Sequence, residues 1–390
     1  MKDTLQAVIL GWLVVLVTAQ QGCDFRQNIV AGRSYDIFSP GFPNRYTGAQ
    51  NCRWTAIAPA GMIVHIECNV MELPTSTNCR NDRILISREG LTSLSGATSN
   101  CGTRRFSDQA IGNTLVVGFR TPRTSRGGRF LCTITARPCQ CGRRRTTRIV
   151  GGTEAGVNEF PMMAGLVDSR IGRVICGATI ISNRHALTAA HCTRNVPVTR
   201  AGLLIGEHDV TTGAETPYTQ LLTIARYIVH PSFRDNPSRN DIALVQPRTL
   251  IFFNAGVSPV CLPFAERSNT FQGARVEATG WGTTDFGGPQ SSRLRRVTLD
   301  VVANSVCTSR LNNPNILTSH LCTFTPGRDT CQNDSGGPLM WTNPRNGLLY
   351  LSSLASFGVQ CGTQPSVNTR ITSFLTWIQQ NTAGVQYCNP

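Results

Sequence analysis

The chain has 390 residues, of which 40% are apolar, so it is too long for one typical domain and apolar enough to form ordinary cores. Its 37 basic residues outnumber its 22 acidic residues and give a net charge of +15. Residues 1–148 hold 19 of the basic and only 8 of the acidic residues, so most of the excess charge belongs to the first part of the chain.

The N-terminus predicts a signal peptide over residues 1–19. Met1 and Lys2 precede an apolar run, and Ala19 is a small residue at a position that a signal peptidase reads. No later stretch reaches the roughly 18 to 20 consecutive apolar residues of a transmembrane helix. We therefore expect a secreted, extracellular protein without a membrane span. Sixteen cysteines, an even number, then favour eight disulfides over metal ligands.

Residues 22–136 predict an all-β domain. Val64, Ile66 and Cys68 alternate with polar residues at a period of two, and turn signals separate similar short runs. Residues 38–46 read FSPGFPNRY, and CRW and APAG follow at residues 52–54 and 58–61. In these stretches the chain resembles a CUB domain, which implies a jelly-roll sandwich of two antiparallel sheets.

The CUB resemblance also implies two disulfides, Cys23 with Cys52 and Cys79 with Cys101. Cys68 and Cys132 each fall on the apolar side of a predicted strand, so we expect a further bridge, Cys68–Cys132, inside the sandwich.

Many CUB domains bind calcium, and the resemblance places Glu72 and Asp82 at two of the ligand positions. The third is missing, because residues 119–122 read FRTP where the family has Phe-x-Ser-Asp, and a hard cation requires oxygen ligands. We therefore predict no cofactor and no metal, with calcium as the alternative.

Arginines cluster in sequence beside this edge of the predicted CUB domain. They form a candidate surface for a polyanion or an acidic protein, because guanidinium groups suit sulfate and carboxylate. The alternative is a solvated basic face without a partner. The arginines are Arg104, Arg105, Arg120, Arg123, Arg126 and Arg129.

Residues 137–148 read RPCQCGRRRTTR and predict a basic linker. Arginine in an exposed segment without regular structure is easily cut, so we expect nicking among residues 143–145. Zinc binding at Cys139 and Cys141 is the alternative to disulfides, but no second paired set and no histidine lies nearby.

Four motifs occupy residues 149–390. IVGG follows Arg148, TAAHC contains His191, NDIALV contains Asp241, and GRDTCQNDSGGP contains Ser335. A serine hydroxyl is a poor nucleophile until a base takes its proton. With these flanks, the order His, Asp, Ser resembles the chymotrypsin and trypsin clan of serine endopeptidases, which implies a double six-stranded β-barrel.

The resemblance implies a role for each of these residues. His191 takes the proton from Ser335, and Asp241 orients the imidazole. Cutting after Arg148 frees an ammonium on Ile149, which pairs with Asp334. That pair sets the backbone amides of Asn333 and Ser335 as an oxyanion hole.

Specificity also follows from the resemblance. Asp329 corresponds to the floor of the primary pocket in trypsin-like members, so we expect cleavage after Arg or Lys. The alternative is that Asp329 is only a residue of a surface turn. Ser356 and Gly358 belong to the strand that pairs with substrate backbone. Ser366 replaces a glycine of the pocket and should narrow it. Asn333 also replaces a glycine, which predicts slower and more selective catalysis.

Glu207 and Glu215 resemble a calcium loop found in some trypsins. The family spacing implies three disulfides within the second domain: Cys176–Cys192, Cys307–Cys322 and Cys331–Cys361. Cys261 should bind either Cys139 or Cys141, and Cys388 the other, which leaves the connectivity of the linker open.

The leading hypothesis is a secreted serine endopeptidase zymogen with a CUB domain, similar in layout to arthropod CUB-serine proteases, including venom ones. Its partners would be protein substrates with Arg or Lys at the cleaved bond and an upstream activating protease. The alternative is a catalytically weak homologue that acts as a binding protein through its basic CUB domain. Nucleic-acid binding is disfavoured, because the arginines lack interleaved aromatic residues.

Overall fold

The computed structural model describes residues 23–59, 62–110, 112–138, 140–145, 154–194, 196–212, 215–283, 287–331, 333–358, 361–385 and 387–388. The predicted signal peptide and the bond between Arg148 and Ile149 lie outside these residues. The chain divides into two compact units, one built mainly from residues before 137 and the other mainly from residue 137 onward.

The first unit is a sandwich of two sheets. One sheet has the order β1-β3-β8-β5-β6 and the other β2-β9-β4-β7. The strands are β1 Asp24–Asn28, β2 Ser34–Phe38, β3 Gln50–Ile57, β4 Met62–Glu72, β5 Arg83–Ser87, β6 Thr98–Asn100, β7 Phe106–Gln109, β8 Thr114–Thr121 and β9 Arg129–Pro138, with a 3-10 helix at Thr77–Cys79.

One edge of this sandwich differs from the antiparallel prediction, because β1 pairs with β3 in parallel. The bridge between Cys23 and Cys52 explains the direction. Asp24 and Arg53 follow the two bridged cysteines and are register partners, so both strands leave the disulfide in the same direction.

The predicted alternation in β4 matches the burial of its side chains. Val64, Ile66 and Cys68 are each 0% exposed, and they face the sandwich interior. Cys68 forms a disulfide with Cys132, also 0% exposed, on the neighbouring strand β9. The third bridge of this unit joins Cys79 to Cys101.

The second unit contains two closed six-stranded barrels, as predicted for the chymotrypsin fold. The first barrel consists of β10 Met163–Asp168, β11 Arg173–Ile180, β12 Ala186–Thr188, β13 Ala201–Ile205, β14 Gln220–Val229 and β15 Ala243–Pro247. The second consists of β16 Arg275–Gly280, β17 Arg295–Val302, β18 His320–Thr323, β19 Pro338–Thr342, β20 Leu349–Phe357 and β21 Ser366–Arg370.

Short helices complete this unit. The α-helices are α1 Asn304–Arg310 and α2 Leu375–Asn381, and the 3-10 helices are His191–Thr193, Phe264–Glu266 and Ile371–Ser373. None of the helices in the described part of the chain has the length and apolar character that crossing a membrane requires.

A shared apolar core joins the two barrels and fixes the cleft between them. Met163 and Leu244 of the first barrel pack in one cluster with Met340 and Leu354 of the second and with Trp281, which is 1% exposed. Burying such a continuous set of side chains is the main force that holds the barrels together. Residues at the barrel edges that face the cleft therefore keep fixed relative positions.

The disulfides of the second unit are those implied by the family resemblance: Cys176–Cys192, Cys307–Cys322 and Cys331–Cys361. The open choice for Cys261 is resolved, because it binds Cys141. Cys388 is also disulfide-bonded. Its predicted partner, Cys139, lies outside the described residues.

Candidate active site

His191 and Asp241 are 50 residues apart in the first barrel sequence and meet beside the paired strands β12 and β15. His191 opens a 3-10 helix directly after β12, and Asp241 lies just before β15, the strand that pairs with β12. The Asp241 Oδ2 atom lies 2.8 Å from Nδ1 of His191, and Oδ1 accepts from the His191 amide at 3.0 Å. The bidentate contact fixes both the ring and the backbone of His191.

The burial of this pair makes each protonation state depend on the other. Asp241 is 2% exposed, and burial alone would raise its pKa, but the hydrogen bonds from His191 and Ser356 hold the pKa below its ordinary value. Burial would lower the pKa of His191, yet the hydrogen bond and charge of Asp241 raise it above its ordinary value. The arrangement stabilises a positively charged imidazole.

Ser335 lies on a tight turn that packs against the end of β12, just before His191 in the chain. Gly336 has φ 77°, and a Cβ there would collide with the hydroxyl of Thr188 at the end of β12. The Ser335 carbonyl accepts from the amide of Gly177 at 2.9 Å. The Cys192 sulfur lies 3.6 Å from this carbonyl oxygen and 3.7 Å from Nε2 of His191. A single atom therefore contacts both residues, and the turn lies beside the imidazole.

Asn333 and Asp334 precede this serine. Asn333 has φ 69°, a left-handed conformation. Glycine, the residue that Asn333 replaces, adopts this conformation without strain, and asparagine tolerates it better than most residues. Asp334 Oδ1 accepts from the Gly282 amide at 2.8 Å, and Oδ2 from the Cys331 amide at 2.9 Å. Despite these two donors, burial raises the pKa of Asp334 to about 6. Among the described residues, no cation forms a salt bridge with it.

Asp329 lies six residues before Ser335 in the chain and is contacted by Ser366. The Ser366 hydroxyl donates to Asp329 Oδ2 at 2.8 Å, and the Thr330 amide donates to Oδ1 at 2.8 Å. Burial raises the pKa of Asp329, while these donors lower it in part. A Cβ on Gly358 would lie 2.8 Å from the Ser366 hydroxyl oxygen, so this hydroxyl lies close to the Gly358 backbone.

A cleft of about 620 Å³ opens beside His191 and Asp241. Its lining includes Ser356, Phe357 and the loop at residues 235–238. Its polar walls can hold an extended chain next to the imidazole.

Two contacts in the site could not be found from the sequence. Ser356, predicted to bind substrate backbone, also donates its hydroxyl to Asp241 Oδ2 at 2.6 Å. Thr369 donates to the Asp241 carbonyl at 2.9 Å. Both residues lie on the second barrel, so the acid of the first barrel is held by the second. No local sequence signal marks either contact.

The predicted calcium positions of the CUB unit are occupied by internal partners. Glu72 pairs with Arg129, whose Nε and Nη2 lie 3.0 and 2.8 Å from its two oxygens. Asp82 accepts hydrogen bonds from the Tyr46 hydroxyl, at 2.7 Å, and from the Ser125 hydroxyl. A calcium ion would have to displace this guanidinium from Glu72. Arg129 is engaged in this pair and does not belong to the free basic surface.

Two other groups of ligand-type residues lie in the second unit. Glu207 and Glu215 share a hydrogen bond, and two backbone amides, those of His208 and Asp209, donate to Glu215 at 3.1 and 2.6 Å. Calcium would compete there with the shared proton. Cys176 and Cys192 lie with His191, but their sulfurs form a disulfide and offer no thiolate.

Comparisons with known proteins match both units. The Trypsin family model matches residues 149–378, and the CUB domain model matches residues 23–133. Venom serine protease 34 of Apis mellifera is 35% identical over 382 residues, which cover 95% of this chain and 90% of that protein. Venom serine protease of Polistes dominula is 40% identical, covering 64% of this chain and 91% of its own length. Proclotting enzyme of Tachypleus tridentatus is 33% identical, with 62% and 68% covered.

Proposed function

The chain belongs to the trypsin family of serine endopeptidases and carries a CUB domain, and on this premise we propose that it is a secreted zymogen, activated by cleavage after Arg148, that hydrolyses peptide bonds after Arg or Lys. The observation that supports this most directly is the buried Asp241 bonded to Nδ1 of His191, with the Cys192 sulfur in contact with both the His191 ring and the Ser335 carbonyl.

In the proposed mechanism, Ser335 attacks the scissile carbonyl while Nε2 of His191 accepts its proton. The proton then passes from His191 to the leaving amine, and water repeats the cycle on the acyl-enzyme. Asp241 and its donor Ser356 keep the imidazole oriented and stabilise its charged form. These side chains supply the nucleophile and the base, so we propose no cofactor for the chemistry.

Activation would act through Asp334. Its carboxyl is buried with a pKa raised to about 6 and has no described cation beside it. An ammonium on Ile149 would neutralise it, and the compensated pair would fix the adjacent amides of Asn333 and Ser335 as donors to the oxyanion. Arg148 and Ile149 lie outside the described residues, so this step is supported by the state of Asp334 alone.

The proposed specificity depends on Asp329. A carboxylate in a narrow slot favours a long cationic side chain, because a neutral one leaves it unpaired. The Ser366 hydroxyl already donates to it, which supports a slot narrower than one with glycine at this position.

Active-site titration tests the proposal. The protein is cleaved after Arg148, which the new N-terminus Ile149 verifies, and mixed with an arginine-directed acylating reagent. We expect a burst of one equivalent and turnover of an arginyl amide, with a roughly 10⁶-fold loss in the Ser335→Ala variant. A cleaved protein that shows neither burst nor turnover would instead support the binding-protein alternative.

The basic surface of the CUB domain supports a polyanionic partner as a second proposal. Arg83 and Arg120 are register partners on β5 and β8, and like charges directly opposite each other are destabilising. Arg120, Arg123 and Arg126 are exposed, and none of the four pairs with a described carboxylate. A sulfated polymer would relieve this repulsion.

Heparin affinity tests the second proposal. The variant Arg120→Ser with Arg123→Ser should elute at lower salt than the wild-type protein. The matched control, Arg275→Ser with Arg345→Ser, removes two arginines of the protease domain that are 81% and 85% exposed. If both double variants elute at the same salt concentration, retention depends on total charge and the second proposal is wrong.

A further inference from the structure

Arg144 of the linker inserts its side chain between two carboxylates of the protease unit. Its Nε lies 2.7 Å from Glu159 Oε1, and its Nη1 lies 2.9 Å from Glu277 Oε2. Its Nη2 donates to both carboxylates. The guanidinium carbon lies 5.0 Å from the centre of the Phe160 ring, so the group is also stacked on an aromatic face.

These carboxylates are built into the protease unit and do not depend on the linker for their positions. Their side chains are 5% and 12% exposed, and Arg296 of β17 bonds to each at 3.2 Å. The Gly156 amide also donates to Glu159 at 2.7 Å. Burial raises the pKa of Glu277, which Arg144 partly reverses. Two buried carboxylates with one fixed guanidinium require a second cation.

The backbone on either side of Arg144 is bonded to the same unit. Cys141 is bridged to Cys261, and Gly142 donates to the Pro259 carbonyl at 2.8 Å and accepts from the Leu349 amide at 2.8 Å. Arg145 donates its amide to the Glu159 carbonyl at 3.1 Å. Residues 141–145 are therefore held at four points besides the side chain of Arg144.

We propose that Glu159, Glu277 and Phe160 form an arginine socket whose ligand is Arg144, and that this socket confines cleavage of the linker to Arg148. A trypsin-like protease must take the arginine side chain into its own pocket and hold several residues extended. Residues 143–145 cannot satisfy this while Arg144 is bound. The next arginine along the chain is Arg148, the only one whose cleavage yields the Ile149 terminus.

This inference rests on the proposed activation and changes one expectation from the sequence, which was nicking among residues 143–145. Cleavage there leaves a terminus before Ile149 and gives no activation. The socket therefore selects the productive bond among four arginines within six residues.

Limited proteolysis tests the socket. Full-length protein carrying Ser335→Ala, which cannot cut itself, is treated with trypsin, and the new N-termini are quantified by mass spectrometry. We expect Ile149 as the main early terminus. Adding Glu277→Gln should raise the rate of cutting among residues 143–145 by about tenfold or more, because opening of the segment becomes easier. Arg144→Ala should do the same at Arg143 and Arg145.

Glu266→Gln is the matched control, since Glu266 pairs with Arg345 at 3.7 Å on the surface of the same unit. It should leave the pattern unchanged. Melting temperatures identify a variant that is cut faster because it is globally unfolded. In such a variant new termini would appear throughout the barrels, and the Arg144→Ala result would then decide. Equal cutting at residues 143–145 in all proteins would overturn the socket. Failure of the proposed function would appear separately, as wild-type protein that gains no activity once Ile149 is exposed.

Discussion

Asp241 receives hydrogen bonds from both barrels. His191 of the first barrel donates from its ring and its amide, and Ser356 of the second donates its hydroxyl. Each donor favours the ionised carboxylate, and the buried negative charge in turn favours a protonated His191. The base strength of the imidazole is therefore set by residues far from it in the chain.

The pH dependence of activity should report this pairing. In the proposed mechanism the neutral imidazole is the base, so activity should be lost as the pH falls through the pKa of His191. Because Asp241 raises that pKa, the acid limb of kcat/KM should have its midpoint above the ordinary value of about 6.5. The variant Asp241→Asn should lower kcat by about 10⁴ and move the midpoint down.

Asp300→Asn serves as the control for this experiment, because Asp300 is an exposed carboxylate paired with Arg275 at 3.5 Å. It should change neither kcat nor the midpoint. An Asp241→Asn enzyme with an unshifted acid limb would contradict the assignment of that limb to His191.

Ser366 is the second residue-scale feature with a measurable effect. Its hydroxyl donates a hydrogen bond to Oδ2 of Asp329 and lies near Gly358. Replacing it by glycine should widen the slot and free one carboxylate oxygen for a bidentate guanidinium. We expect kcat/KM for an arginyl amide to rise about tenfold in Ser366→Gly, since a hydrogen bond to a charged group contributes on the order of 1.5 kcal/mol or more.

A phenylalanyl amide is the control substrate, because it makes no use of the Asp329 charge. Its kcat/KM should stay within about twofold. A fall in arginyl activity would show that Ser366 orients Asp329 for substrate rather than obstructing it.

At the scale of elements, the loop between β13 and β14 holds a pair of carboxyl groups. Burial raises the pKa of Glu207 to about 7. Burial also opposes ionisation of Glu215, but hydrogen bonds from Glu207, Thr212 and the Asp209 amide hold its pKa at about 2. With one proton between them, the protonated Glu207 can donate a hydrogen bond to the ionised Glu215.

The stability of this loop should depend on pH in a defined direction. A raised pKa means that the folded state retains the Glu207 proton, so the stabilisation is complete below the ordinary pKa and is lost as the pH rises through about 7. Glu207→Gln keeps a neutral donor at every pH. Its melting temperature should equal that of wild type at pH 5 and exceed it at pH 8 by about 2–4 °C for each kcal/mol involved.

The same surface substitution Glu266→Gln, away from this loop, should show no such difference between the two pH values. Added calcium at pH 8 distinguishes the family's metal loop from a proton-bridged pair. A rise in melting temperature that is present in the wild type and absent in Glu207→Gln would indicate an ion between the carboxyl groups, whereas no rise would indicate the proton alone.

At the scale of the whole molecule, a disulfide holds together the two sides of the proposed cleavage bond. The Cys141–Cys261 bridge joins residues on opposite sides of the bond after Arg148. Cleavage there therefore leaves the CUB domain attached to the protease. The arginine socket adds a noncovalent attachment of the same segment.

Electrophoresis after activation checks this attachment. Cleaved protein should run as one band without reductant and as two bands with it. Two bands without reductant would contradict the bridge. In the double variant Cys141→Ser and Cys261→Ser, a single non-reduced band would indicate that Cys388 forms a second bridge to the linker, and two bands would indicate that Cys141–Cys261 is the sole connection.

The sequence by itself determined the fold class, the order His191, Asp241, Ser335 and the cysteine pairs implied by the family. These features depend on local sequence patterns, namely the period-two alternation along strands such as β4 and the short motifs around His191, Asp241 and Ser335. The parallel pairing of β1 with β3 was not predicted, because the antiparallel jelly roll was expected without regard to the position of the Cys23–Cys52 bridge.

Only the tertiary structure decided which polar groups meet. Ser356 and Asp241 are 115 positions apart, Arg129 and Glu72 are 57 apart, and Arg144 and Glu277 are 133 apart. The sequence around either side chain does not indicate which partner it contacts. A buried charge requires a partner, but the partner is chosen by how the sheets and barrels close, which no local pattern encodes.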